Sequence, residues 1–159
     1  MKTKRILALL FVAVMAFFSL TACLEPTVAE TGDVTVVVET ESGEYEVYKT
    51  YLENVENKET GAVGVLENLR DREKNPLSIN MSDSSYGKYI HSIGSITEDT
   101  AAKKYIMVYT SLERDFGTWA GVSELTYDGV TLKSVGVGVS SMSVEAGTII
   151  LFRLEASAW

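Results

Sequence analysis

The order in which hydrophobic periodicity changes along this chain constrains its fold more than any other feature. Val34-Thr-Val-Val-Val38 is a run of β-branched residues that favours a buried strand. Ser42-Gly43 supplies a turn, and Tyr45, Val47, Thr50 and Tyr51 continue a second strand-like segment, so residues 34–51 read as a β-hairpin. From Thr60 to about Glu73 the period lengthens. Val63, Leu66 and Leu69 recur at three-residue steps while Glu67, Arg70 and Arg72 can face water, which predicts one amphipathic helix. Asn75-Pro76 stops it. Beyond Pro76 only short apolar runs follow, at 86–93, 104–110, 122–127, 130–139 and 148–154, separated by turns such as Asp128-Gly129 and Ala146-Gly147. Hairpin, one helix, then several strands is an α+β arrangement, with the helix packed on one face of a mixed or antiparallel sheet. It is compatible with a β-grasp, in which the sheet curls around the helix.

The first 22 residues read as an export signal. Lys2, Lys4 and Arg5 form a basic start, and Ile6 to Leu20 is apolar apart from Ser19. Fifteen helical residues reach only ~22 Å, short of a ~30 Å hydrocarbon core, so a permanent membrane span is the weaker reading. The stretch ends in Leu20-Thr21-Ala22-Cys23, which looks like a bacterial lipobox whose cysteine sulfur accepts a diacylglycerol. Cys23 is the only cysteine, which also rules out a disulfide framework. The expected organisation is a signal peptide over 1–22, a tether over 23–33 and one domain over 34–159. The lipid on Cys23 would hold that domain on the membrane, outside the cytoplasm, at the bacterial cell envelope.

Composition narrows the chemistry. Without its basic start the chain keeps 11 basic against 22 acidic residues, a net charge of −11, which argues against nucleic acid and anionic lipid as partners. Ten carboxylates between Glu25 and Glu59 face only two lysines, but the EF-hand spacing is absent and no metal site is expected. There is no nucleophile elbow, P-loop, Rossmann glycine pattern or zinc-protease motif, and His91 is the only imidazole. No catalytic residues are assigned, and a binding protein is expected rather than an enzyme. Met107 and Met142 read as core filler.

The informative stretch is Ser84-Ser-Tyr-Gly-Lys-Tyr-Ile-His-Ser-Ile93, taken with Lys103-Lys-Tyr-Ile-Met-Val-Tyr109. The pair resembles the C-terminal domain of the cobalamin carriers transcobalamin and intrinsic factor. There an aromatic-glycine strand leads through an acidic loop to a Tyr-Trp strand. Gly138-Val-Ser-Ser-Met142 and Gly147-Thr-Ile-Ile150 match the family's later short strand and edge. The resemblance covers about residues 34–155 and implies a β-grasp-like fold. It implies ligand contacts from Ser85, Tyr86, Gly87, Lys88, Tyr89 and Ile90, and from Ile106, Met107, Val108, Tyr109, Thr110 and Ser111. Ile106 stands where the family has tryptophan, and residues 113–134 form an insertion whose Trp119 would overhang the site. The implied function is a lipid-anchored binder of a cobalamin-like corrinoid or other small soluble ligand, handing it to a transporter. The alternative is a surface protein-interaction module without a ligand. In the carriers the axial histidine comes from a separate helical domain, so the resemblance gives His91 no role.

Overall fold

The computed structural model describes residues 25–156; the signal segment and Cys23 lie outside the described residues. Strands β1 (Asp33–Glu39) and β2 (Tyr45–Tyr51) form the expected hairpin, with Val34 opposite Thr50 and Glu39 opposite Tyr45. Helix α1 (Ala62–Asp71) follows a single 3₁₀ turn at Lys58–Thr60, starting two residues later and ending two earlier than its periodicity predicts. Three short strands come next: β3 (Ile79–Ser84), β4 (Gly87–Ile93) and β5 (Ile96–Thr97). The chain then forms β6 (Lys104–Thr110), β7 (Glu124–Tyr127), β8 (Val130–Ser134) and β9 (Thr148–Ala156).

This is an α+β protein with two sheets. Six strands lie in the order β2-β1-β9-β6-β8-β7, and three more in the order β3-β4-β5. β1 runs parallel to the last strand, β9, which is antiparallel to β6. Hairpin, helix and a parallel pairing of first and last strands give the large sheet a β-grasp-like topology.

Alternation along the strands sorts the core into two parts. Val34, Val36 and Val38 of β1 and Ile150 and Phe152 of β9 point to one face, where Val63, Leu66 and Leu69 of α1 and Ile90, Ile93 and Ile96 of the small sheet cover them. Val37 and Leu151 point the other way, against Tyr109 and Leu132. That second cluster is closed by curling: Tyr45 on one outer strand meets Tyr127 on the other, ring centroids 5.0 Å apart and nearly perpendicular. The β7–β8 hairpin therefore encloses the face away from the helix.

Two segments differ from expectation. Residues 135–142, expected to extend β8 and then give a further short strand, leave the sheet and form a 3₁₀ turn at Val139–Ser141. Gly136 and Gly138 bracket that departure, as glycines without a side chain to pack often do. The expected tether is pinned along part of its length. Thr27 N–H donates to Ser143 Oγ at 2.9 Å, Val144 N–H to Thr27 O at 2.8 Å, and Ala29 N–H to Val144 O at 2.9 Å. Val28 and Ala29 pack on the core, and Lys58 Nζ bonds Glu30 Oε2 at 2.6 Å. Composition missed this strap because Ser143 and Val144, which bind its backbone, lie more than a hundred residues away.

Candidate functional site

Where the small sheet diverges from the large one, β4 and β6 leave a shallow groove of about 250 Å³. Lys88, Tyr89 and Ile90 form one wall and Tyr105, Ile106 and Val108 the other. Glu98 closes one side, and Val137, Gly138 and Val139 of the 3₁₀ loop close another. The two segments singled out in the sequence thus meet at one place. A larger recess of about 440 Å³ runs beside α1, lined by Glu56, Glu67, Arg70, Asp71 and Arg72 among others. Several of its polar groups are engaged within the chain: Arg70 with Asp71 at 2.7 Å, Arg72 with the Lys49 carbonyl at 3.0 Å, and Asn68 with the Asn54 carbonyl at 2.8 Å.

The twelve expected contact residues divide by strand alternation. On β6, Ile106 and Val108 face the groove side and the main core, whereas Met107 and Tyr109 point into the second cluster on the opposite face. Thr110 is fully buried, and Ser111 is tied to β9 through the Ile149 N–H at 3.0 Å and the Ile149 carbonyl at 3.0 Å. On β6, alternation therefore divides the run from Ile106 to Ser111 between two faces, and only Ile106 and Val108 of it line the groove.

On β4, Lys88, Tyr89 and Ile90 line the groove, while Ser85 and Tyr86 sit in the β3–β4 turn outside it. Tyr86 is 88% exposed. Gly87 does mark a close approach, but to the chain itself. At φ 97°, its missing Cβ would lie 2.7 Å from Ser140 Oγ, the same oxygen that accepts the Lys88 N–H at 2.8 Å. The insertion also departs from expectation: Trp119 packs over Gly117 and does not line the groove.

Glu98, Tyr105 and Val137–Val139 were missed. Tyr105 lies within the quoted motif, one residue before the expected contacts begin, and Glu98 is one carboxylate among many in an acidic chain. Its position distinguishes it. Glu98 Oε1 accepts the Tyr89 O–H at 2.6 Å and faces the Ile106 N–H at 3.5 Å. Burial, and then this hydrogen bond to Glu98, push the Tyr89 phenol up to about 12. His91 occupies a bulge in β4: Asn80 pairs Ser92 and Met81 pairs Ile90, leaving His91 between them without an opposite residue. Its Nε2 shares a 2.7 Å hydrogen bond with Ser82 Oγ, and its ring meets the Tyr89 ring edge-on at 5.0 Å. The bulge thereby backs the tyrosine that walls the groove.

An absorbance titration checks this geometry. Tyr109, on the far face, is likewise pushed up to about 12, by burial and its bond to Glu155. Folding raises both phenols above 10, so the stability they add is present below pH 10 and is lost as pH rises toward 12. Glu98→Gln should bring the Tyr89 ionisation to lower pH and leave Tyr109 late. An unchanged Tyr89 in that variant would mean that the carboxylate is not beside it.

No family model matches the chain, and no curated protein does. Among the solved structures that share the fold are two at low identity. A proposed metal-binding protein from Ruminococcus gnavus ATCC 29149 superposes with a TM-score of 0.51 at 15% identity, over 79% of this chain and 98% of its own. Haptocorrin in complex with cobinamide superposes with a TM-score of 0.54 at 15% identity, over 79% of this chain. The match spans about a quarter of haptocorrin, 25% of its length. The shared property is the fold. Among the described residues, no three His, Cys, Asp or Glu side chains gather as a metal cluster would require.

Proposed function

We propose that this is a lipid-anchored binding protein of the bacterial envelope whose β4–β6 groove receives a small soluble ligand, a corrinoid being the first candidate. The observation that carries the reading is the convergence of the two segments marked by the carrier resemblance on one groove. The haptocorrin likeness supports it at the level of fold. A corrin is broad, flat and largely apolar with amides at its rim, and the groove offers Ile90, Ile106, Val108 and Val139 beside the polar Tyr89 and Glu98.

At about 250 Å³ the groove is below the usual range of ~300–1,000 Å³ for enclosed ligand sites, so a corrin would lie against it with one face open. Micromolar affinity is expected, ~8 kcal/mol. Calorimetry with cyanocobalamin and cobinamide tests this. Tyr89→Ala should weaken binding by roughly tenfold through lost wall area, whereas Tyr86→Ala should stay within about threefold. Binding that ignores Tyr89 would place the ligand elsewhere. Gly87→Val is a poor probe, because its first effect falls on Ser140.

For the anchor, the wild type should incorporate an alkyne fatty acid and partition into detergent, and Cys23→Ser should do neither. An unlabelled wild type would remove lipidation from the reading.

A further inference from the structure

The groove follows a break in the hydrogen-bond ladder of β6. One edge of this strand is paired with β9 from end to end. Its other edge meets β8 only at Tyr109 and Thr110. Before that, Lys104 exchanges backbone bonds with Asp99 at 2.8 and 3.0 Å, and the Val108 carbonyl accepts the Val135 N–H at 3.0 Å. In an antiparallel ladder, alternate residues turn their N–H and C=O to the same edge. Ile106, midway between Lys104 and Val108, therefore presents both groups to the groove with no strand beside it. Its N–H faces Glu98 Oε1 at 3.5 Å, and Glu98 is the one carboxylate in the lining. Lys88, the one ammonium there, is drawn to Asp83 at 2.8 Å.

We propose that this groove recognises primary amides on the rim of its ligand and discriminates against the corresponding carboxylates. Glu98 and the Ile106 carbonyl accept the amide N–H bonds, and the Ile106 N–H gives up its long 3.5 Å bond to Glu98 Oε1 to donate to the amide oxygen. A primary amide brings two donors and an acceptor without charge, while a carboxylate is acceptor-only. It would meet Glu98 as a like charge in a partly buried setting, where repulsion is less screened than in bulk water. The inference rests on the small-ligand reading above and names the chemical class that the site selects.

The test compares cobinamide, whose rim carries amides, with cobyrinic acid, whose rim carries carboxylates, by calorimetry on wild type and Glu98→Gln. The glutamine keeps an acceptor for Tyr89 and removes the charge. The acid should bind wild type at least tenfold more weakly than the amide, and Glu98→Gln should narrow that ratio to about threefold. Equal binding of the two ligands to wild type overturns the amide inference and leaves the corrinoid reading standing. If neither corrinoid binds, the corrinoid reading falls and a backbone NMR titration with succinamide and succinate decides the inference. Shifts at Ile106 and Glu98 with the diamide alone support it; shifts with both compounds, or with neither, overturn it.

Discussion

Gly61→Ala should lower the unfolding free energy by about 3–5 kcal/mol, enough to move the melting point by more than ~10 °C. Gly61 stands immediately before α1 with φ 60° and ψ −136°, a backbone conformation that a residue with a Cβ scarcely enters. A methyl group there would also run into the Met142 carbonyl oxygen and crowd the Pro26 side chain. That carbonyl accepts the Ala62 N–H at 3.0 Å, which holds the start of the helix to the 3₁₀ loop. Backbone strain and the lost bond thus act together. Urea unfolding of the two proteins measures the difference, and a change below about 1 kcal/mol would show that the junction yields easily.

Asp115→Ala is expected to cost about 2–4 kcal/mol, and Asp115→Asn less than about 1 kcal/mol in either direction. Asp115 is buried, and its Oδ2 accepts the N–H of the fully buried Ser143 at 2.7 Å. Alanine strands that N–H, whereas asparagine still offers an oxygen. Burial raises the Asp115 carboxyl above its ordinary value, against the opposing pull of the Ser143 N–H and Arg114. The unfolded chain therefore loses this proton first. The stability contributed by this group declines as pH rises from 3.8 through the raised folded value. Across that window the asparagine variant should gain on wild type with rising pH, then keep a constant offset. A difference that runs the other way would mean that Arg114, not burial, governs the carboxyl.

Much of the architecture could be read from periodicity, because it follows from contacts close in sequence. The β-branched run at Val34–Val38 requires a buried strand, Ser42-Gly43 turns it back, and the spacing of Val63, Leu66 and Leu69 allows only a helix. The site was legible in its two strands and illegible in its detail. A resemblance marks a run of residues, but the alternation of β6 admits Ile106 and Val108 and sends Met107 and Tyr109 to the other face. Gly87 reads equally well as a place for a ligand or for the chain's own backbone. Only its close approach to Ser140, fifty-three residues away, decides between them. Glu98 becomes distinctive only once Tyr89 and Ile106 are folded against it.

With Cys23 lipidated as proposed, the strap that starts at Thr27 would also set a standoff distance. Cys23 precedes Thr27 by four residues, which at ~3.5 Å each span no more than ~14 Å. An acyl chain on Cys23 would thus keep the Thr27–Ser143 end of the domain close above the headgroups. From there β1 carries the chain seven residues away, roughly 23 Å, to the turn at Thr40–Glu44. Lying along β6, which is aligned with that direction, the groove would open on the flank, level with whatever stands beside it in the same leaflet. A neighbour could meet an open ligand face by lateral diffusion in the plane of the membrane, without the domain having to swing.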